Sequence, residues 1–408
     1  MQLVPALARN PLVEYVRLVV PRSAISTHNL QSYQTARLEV SALDQLDLQR
    51  WLAPVVIQTG GAFYRNRLRN ALLRRLVPPY IERMEAARLW KHSRDVDVVY
   101  VFWPSGRAYH PAQAPIVCTY QDTTLLDFPE ILGSPATEQE RRRAQGWLQN
   151  VARIVVSSQA AHERLIHHFG ASLAETRLIY HNISPQISAP STVSVDAIAR
   201  LPARYLLYPA NTNPHKNHDM LLIAWARFAR RQEMPLVLTG EGTQVLKADW
   251  NPAHTTYWQQ DRLIGLVHRL GLKEGQDFFA LGYLSDAALA ALTQRATALV
   301  MPSLSEGGGS YPVEEALMAG VPVICSDIPV MREHLGQRSV QIVWFDPLSV
   351  ESIVAGLNEL VDHYDLYKRS AMMGKSAPRP SWDDVAAQYV AVFQEAAAAR
   401  SQAHPEIV

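Results

Sequence analysis

Cysteine is nearly absent from this chain. There are two, Cys118 and Cys325, in 408 residues. Each sits in an apolar, strand-like run (IVC and VPVIC), so both read as buried reduced thiols, and a disulfide framework or thiolate metal site is excluded. An excess of charge of one sign is also missing. Lys and Arg number 39 against 38 Asp and Glu, a net charge of +1. That balance argues against broad nucleic-acid binding, which needs a basic face. No apolar run approaches the roughly 18 residues that span a bilayer. The opening residues carry no basic segment followed by a clean apolar core, so no secretory signal is read. A cytoplasmic chain is the expectation, with peripheral contact to the inner face of a membrane left open.

What the chain does have is alternation. Strand-like runs at 15–20, 54–59, 96–102, 115–120 and 152–158 are followed by a second series at 204–210, 235–240, 277–282, 298–303, 322–327 and 341–345. Many are rich in Val and Ile and nearly continuously apolar, as strands of a parallel sheet covered on both faces must be. Helical patterns such as HDMLLIAWARFARR and SDAALAALTQRA lie between them. Alternation twice over implies two doubly wound α/β domains. The expected division is residues 1–190, then 200–376, then a closing helix over 381–400. The boundary falls in the Ser/Pro-rich 184–196 segment, and a second break lies at 376–381. The first domain starts oddly: LVPALARN reads as the end of a first helix, with the strand and turn that should precede it missing.

The densest chemical signal is PSLSEGGGSYPVEEALMAG, 302–320. After a strand come Glu306, then Gly307, Gly308 and Gly309, then Ser310 and Tyr311, with Pro312 opening a helix that Gly320 closes. Three glycines remove side chains, so backbone N–H groups can approach an anion closely, and the helix start adds partial positive charge. Carboxylates at either end of the loop can accept hydrogen bonds from sugar hydroxyls. The same pattern also suits a plain strand-to-helix turn with solvated carboxylates. A second signal is YPANTNPHKNHDML, where Lys216 stands just before a helix and could neutralise a diphosphate leaving group. A lone lysine in a turn is equally ordinary. His215 and His218 flank it, but no further ligand accompanies them, so no metal is expected. The glycines of LTGEG, with Gly240 and Glu241, suit a strand-end turn facing the same cleft.

Taken together these segments resemble the retaining glycosyltransferases of family 4, the group 1 enzymes with the GT-B fold. The resemblance rests on PHKNHDMLLIAWARF, LVLTGEG, the run from LGYLSDAALAALTQRATALVMPSLSEGGG to PVMREH, and SWDDVAAQYVAVF, together covering about 204–395. The first half matches more loosely through VCTYQDTTLLDFPE and ARIVVSSQAAHERLI. The resemblance implies two Rossmann-like domains facing each other across a cleft. It implies that Lys216 contacts the donor diphosphate, Glu306 the donor sugar and a carboxylate at the helix start the ribose, while Tyr283 and Leu284 pack near the base. Glu314 has the family's spacing from Glu306, whereas the EALMAG context points to Glu315. Adjacent helical residues point about 100° apart, so one of the two should reach the ribose, and Glu315 is favoured. Two departures stand out. No Arg lies near Asn211, where the family often has one for phosphate, and the family's His–Asp pair on the acceptor side reads Gln121–Asp122 here.

The implied activity is transfer of a hexose, with retention, from a nucleotide-diphosphate sugar to a glycan or lipid-linked acceptor in surface polysaccharide synthesis. No cofactor or metal is implied, because a lysine and a helix start supply the positive field. The arginine-rich YRNRLRNALLRRL, 64–76, can dock on an anionic membrane or hold a lipid-linked diphosphate, or it is simply a solvated amphipathic face. The alternatives are a sugar-nucleotide epimerase or phosphorylase on the same fold, and a non-catalytic sugar-nucleotide-binding subunit.

Overall fold

A computed structural model describes residues 2–21, 30–43, 90–170, 173–181, 201–247, 249–250, 258–336, 338–375 and 380–403. The 54–59 strand candidate, the 64–76 arginine segment and the 184–196 boundary segment lie outside these residues.

Among the described residues twelve strands form three sheets, all parallel. β1 (Val16–Pro21) pairs with β2 (Leu38–Leu43). β3 (Val99–Val101), β4 (Ile116–Thr119), β5 (Arg153–Val156) and β6 (Thr176–Leu178) follow one another across a second sheet. Among the described residues no strand joins these two sheets. The third sheet runs β12-β11-β10-β7-β8-β9, from β7 (Leu206–Pro209), β8 (Leu236–Thr239), β9 (Phe278–Gly282), β10 (Ala298–Met301), β11 (Val323–Ser326) and β12 (Val343–Phe345). Parallel neighbours need long crossovers, and helices supply them.

Strand order reverses between β10 and β7. Loops leaving those two carboxyl ends therefore diverge and open a crevice, which is where ligands bind in open α/β sheets. Lys216 follows β7 and Glu306 follows β10. Continuous burial explains why these strands are apolar along their whole length: β7, β8, β10 and β11 have no exposed residue. Trp225 and Phe228 are fully buried beneath this sheet, and the Trp225 indole N–H donates to Asp277 O at 2.7 Å, so its one polar atom is satisfied.

The helix Trp382–Ala403 packs on the N-terminal half. Its Val385, Ala386 and Tyr389 share a core with Leu3, Leu7, Val117 and Val155. The Tyr389 hydroxyl meets Thr119 Oγ1 at 2.9 Å and His181 Nε2 at 2.8 Å, and Arg9 pairs with Asp383 at 2.6 Å. Both cysteines are completely buried, and burial pushes the Cys118 thiol up to about 12 and the Cys325 thiol higher still.

Candidate active site

Lys216 ends a short 3-10 turn, Pro214–Lys216, and its Nζ lies 2.7 Å from Glu306 Oε1. Neither side chain is more than a fifth exposed (18% and 12%), so the pair sits largely out of water but within reach of a ligand. The pair forms one wall of a cavity of about 240 Å³, lined also by Asn211, Gly309, Ser310, Tyr311 and Pro312. The helix Tyr311–Met318 starts at the cavity, with Pro312 in its first turn, so the positive end of its dipole lies beside the space. Ser310 Oγ is buried without a hydrogen-bond partner. A buried hydroxyl in that state is a ready contact for something polar.

Two of the three loop glycines face the other half of the molecule. A Cβ on Gly307 would lie 2.4 Å from Gln121 O, and one on Gly308 would lie 2.5 Å from Ser157 Oγ. Gly309, at φ +98°, sits against the His334 ring. Only a loop without side chains lets the halves come this close. Polar contacts fix the approach. Ser158 Oγ donates to Gly307 O at 2.6 Å while accepting from Ala161 N at the start of helix Gln159–Phe169. The Glu333 carboxylate accepts from the N–H groups of Gln159 and Ala160, at 2.6 and 3.0 Å, and from the Tyr180 hydroxyl at 2.8 Å. A carboxylate from one half thus caps a helix of the other. None of the contacts between the halves has a local sequence signal, because their partners lie more than a hundred residues apart.

Glu314 and Glu315 separate cleanly. Glu314 is buried and pairs with Arg338 at 2.6 Å. Glu315 is one turn along from Tyr311, on its face of the helix, where burial and then the nearby Asp286 raise its carboxyl above the usual range. The other expected residues are more dispersed. Gly240 (φ +127°) brings the LTGEG turn against Asn211, and Thr212 N donates to Glu241 O at 3.1 Å, but the Glu241 side chain is exposed and outside the cavity lining. Tyr283 is 77% exposed and Leu284 packs on the C-terminal core, both beyond the cavity lining. Gln121 faces Gly307 with its backbone carbonyl, while its amide leans toward Phe102 O at 3.4 Å. Asp122 Oδ1 accepts from Thr124 N at 2.8 Å, holding the turn into helix Thr124–Asp127.

His215 and His218 are held neutral: burial, then the charge of Lys216, lowers both to about 3. Both His218 nitrogens and His215 Nδ1 are buried without partners, and the His218 ring lies 4.7 Å from that of Tyr208. Among the described residues no group of three or more His, Cys, Asp or Glu is placed to hold a metal ion. No described helix is long and apolar enough to cross a membrane.

Known proteins resemble this chain in both halves. The family described as "Glycosyl transferases group 1" matches residues 198–379. The chain is 25% identical to O-antigen chain mannosyltransferase B of Escherichia coli, over 68% of this chain and 70% of that protein. It is also 25% identical to a phosphatidyl-myo-inositol mannosyltransferase of Mycobacterium tuberculosis, over 76% of each. Among solved structures, Anabaena HepE in complex with UDP and glucose superposes with a TM-score of 0.63 at 15% identity, covering 96% of this chain and 95% of that one. At that identity the likeness shows the fold, which is the GT-B architecture.

Proposed function

We propose that this chain, whose residues 198–379 match the group 1 glycosyltransferases and whose fold is GT-B, moves a mannosyl group, with retention, from a nucleotide-diphosphate mannose to a glycan or lipid-linked acceptor in surface polysaccharide synthesis. The sugar and the acceptor class are taken from the two relatives, which are named for O-antigen and phosphatidyl-inositol mannosyl transfer. The single observation that carries the site is the Lys216–Glu306 pair, 2.7 Å apart beside a helix start at the sheet's switch point.

The ammonium has three N–H donors, and Glu306 uses one. The others are free for the oxygens of a diphosphate, joined by backbone N–H groups from Gly309 to Tyr311. Glu306 has a second carboxylate oxygen for a sugar hydroxyl. Glu315, on the Tyr311 face, takes the ribose, and Tyr283 with Leu284 takes the base. As the acceptor oxygen bonds to the anomeric carbon, the nucleoside diphosphate leaves with the bonding electrons. The acceptor's hydroxyl proton passes to a departing phosphate oxygen. The protein supplies position and fixed positive charge where negative charge builds up. In this reading no metal takes part, and chelation leaves the rate unchanged. The acceptor approaches past Gln121 and Asp122. Segment 64–76 holds lipid-linked acceptors at an anionic cytoplasmic membrane face, so sedimentation with anionic but not neutral liposomes is expected.

The test is product analysis with GDP-mannose and UDP-glucose against a panel of glycan and lipid-linked acceptors. Proton NMR of the first product should show the donor's anomeric configuration. Lys216→Ala should lower turnover at saturating donor by roughly two to three orders of magnitude, as loss of a preorganised donor does. Unchanged turnover in that variant, or conversion of the nucleotide sugar with no acceptor product, would count against the assignment.

A further inference from the structure

Next to Lys216, inside the PHKNHDML run, stands a residue with no role assigned so far. Asn217 is the one non-glycine residue with positive φ among those described, at φ 59°, ψ 38°. Asparagine tolerates this left-handed conformation better than most residues, yet it remains sparsely populated. Here it turns the chain from the Pro214–Lys216 turn into helix His218–Arg227. An observed outlier of this kind beside a reaction site is a reason to ask what it holds.

The side chain answers. Asn217 is 6% exposed, and its amide nitrogen donates to Pro302 O at 3.0 Å and to Pro347 O at 2.8 Å. An amide has two N–H donors, and these bonds use both. Pro302 directly follows β10, on the way to Glu306, and Pro347 lies just past β12. Two further bonds tie the same turn down. Leu304 N donates to His215 O at 2.8 Å, and the Tyr208 hydroxyl donates to Lys216 O. The backbone on either side of Lys216 is thus fastened to the loop that carries Glu306.

We propose that Asn217 is a positioning residue for the transfer reaction: its amide clamps the ends of β10 and β12 and so sets the reach of Lys216 toward the donor diphosphate. This rests on the reading of the cavity given above. The clamp touches no substrate, so it should act through Lys216 alone. It should matter to the charged transition state more than to donor capture.

The experiment is a double-mutant cycle with GDP-mannose as donor, following GDP release. The proteins are wild type, Asn217→Gly, Lys216→Ala and the double variant. Glycine keeps the left-handed turn and removes only the amide bonds. Asn217→Gly should lower kcat about tenfold, within the ~10²-fold cost of an ångström of misplacement, and change the donor KM by less than about threefold. In the Lys216→Ala background the same substitution should cost less than about twofold, because there is no ammonium left to place. Asn217→Asp, which turns an acceptor oxygen toward two carbonyls, should lose at least as much as the glycine variant. Wild-type kcat in both Asn217 variants overturns the proposal. So does the same fractional loss with and without Lys216, which would mark a general structural role. If Lys216→Ala itself matches wild type, the cavity reading fails first and this inference falls with it.

Discussion

Alanine at Gly307 should disable the enzyme while leaving the fold intact. The added Cβ would sit 2.4 Å from Gln121 O and 3.2 Å from Asp122 Cβ. Carbon–oxygen contacts settle near ~3.3 Å or more, so the methyl is short by roughly 0.9 Å. The opposing atom is a backbone carbonyl one residue past the buried Tyr120, and it cannot rotate away as a side chain would. Gly307 lies in a surface loop between the halves, so the clash is relieved by parting them rather than by repacking a core. That displacement carries the Gln121–Asp122 side away from the cavity by about 1 Å, and misplacement on this scale costs up to ~10²-fold in rate. We therefore expect kcat to fall about 10- to 100-fold. The donor KM should change little, because the cavity wall belongs to the C-terminal half. The melting temperature should stay within about 2 °C, as for substitutions that leave a core untouched. The assay is steady-state GDP release from GDP-mannose with acceptor present, alongside a thermal melt. A variant as fast as wild type would show that the close contact between glycine loop and Gln121 is not the working arrangement.

The adjacent glutamates should separate in their effects. Glu314→Gln loses a buried ion pair with Arg338 and should cost about 1–3 kcal/mol in urea denaturation with a near-normal donor KM. Glu315→Gln should instead raise the donor KM about tenfold with little change in stability, the worth of one charged hydrogen bond. Stability should also fall with acid. Burial lowers His181 to about 4 and His215 and His218 to about 3, so below about pH 6.5 the unfolded chain binds protons that the native state refuses. Their contribution is complete above that pH and is lost as pH drops toward 3, by about 1.4 kcal/mol per pH unit for each histidine. Urea midpoints that stay level from pH 7 to pH 5 would contradict this, and His218→Phe should flatten the slope by one histidine's share.

Much of the C-terminal half was legible because its strands are buried on both faces and therefore apolar throughout. Six strand expectations after residue 200 have counterparts, each trimmed at one end or both: the 298–303 run, for instance, ends as a strand at Met301. The strand Leu38–Leu43 went unread. Its LEVSAL alternates with polar residues and sits in a two-stranded sheet, so the continuous apolar signal is missing. At the site, Lys216 and Glu306 could be paired from order and residue type, because parallel topology brings successive strand ends to one edge. The choice between Glu314 and Glu315 hangs on Arg338, whose partner no motif states. The fastening of the two halves by Ser158, Tyr180 and Glu333 is purely tertiary. Asn217 did leave a trace, an asparagine just before a helix start, but asparagine there reads first as a side-chain cap. The structure shows instead a left-handed turn whose amide reaches away to other loops.

Calorimetric titration of GDP and of guanosine into wild type and Lys216→Ala tests most directly whether the lysine and the helix mouth together grip a diphosphate. The account predicts that removing the ammonium weakens GDP about 10- to 100-fold, the scale of a charge-assisted hydrogen bond, and leaves guanosine unchanged. Equal GDP affinity in the two proteins would contradict it.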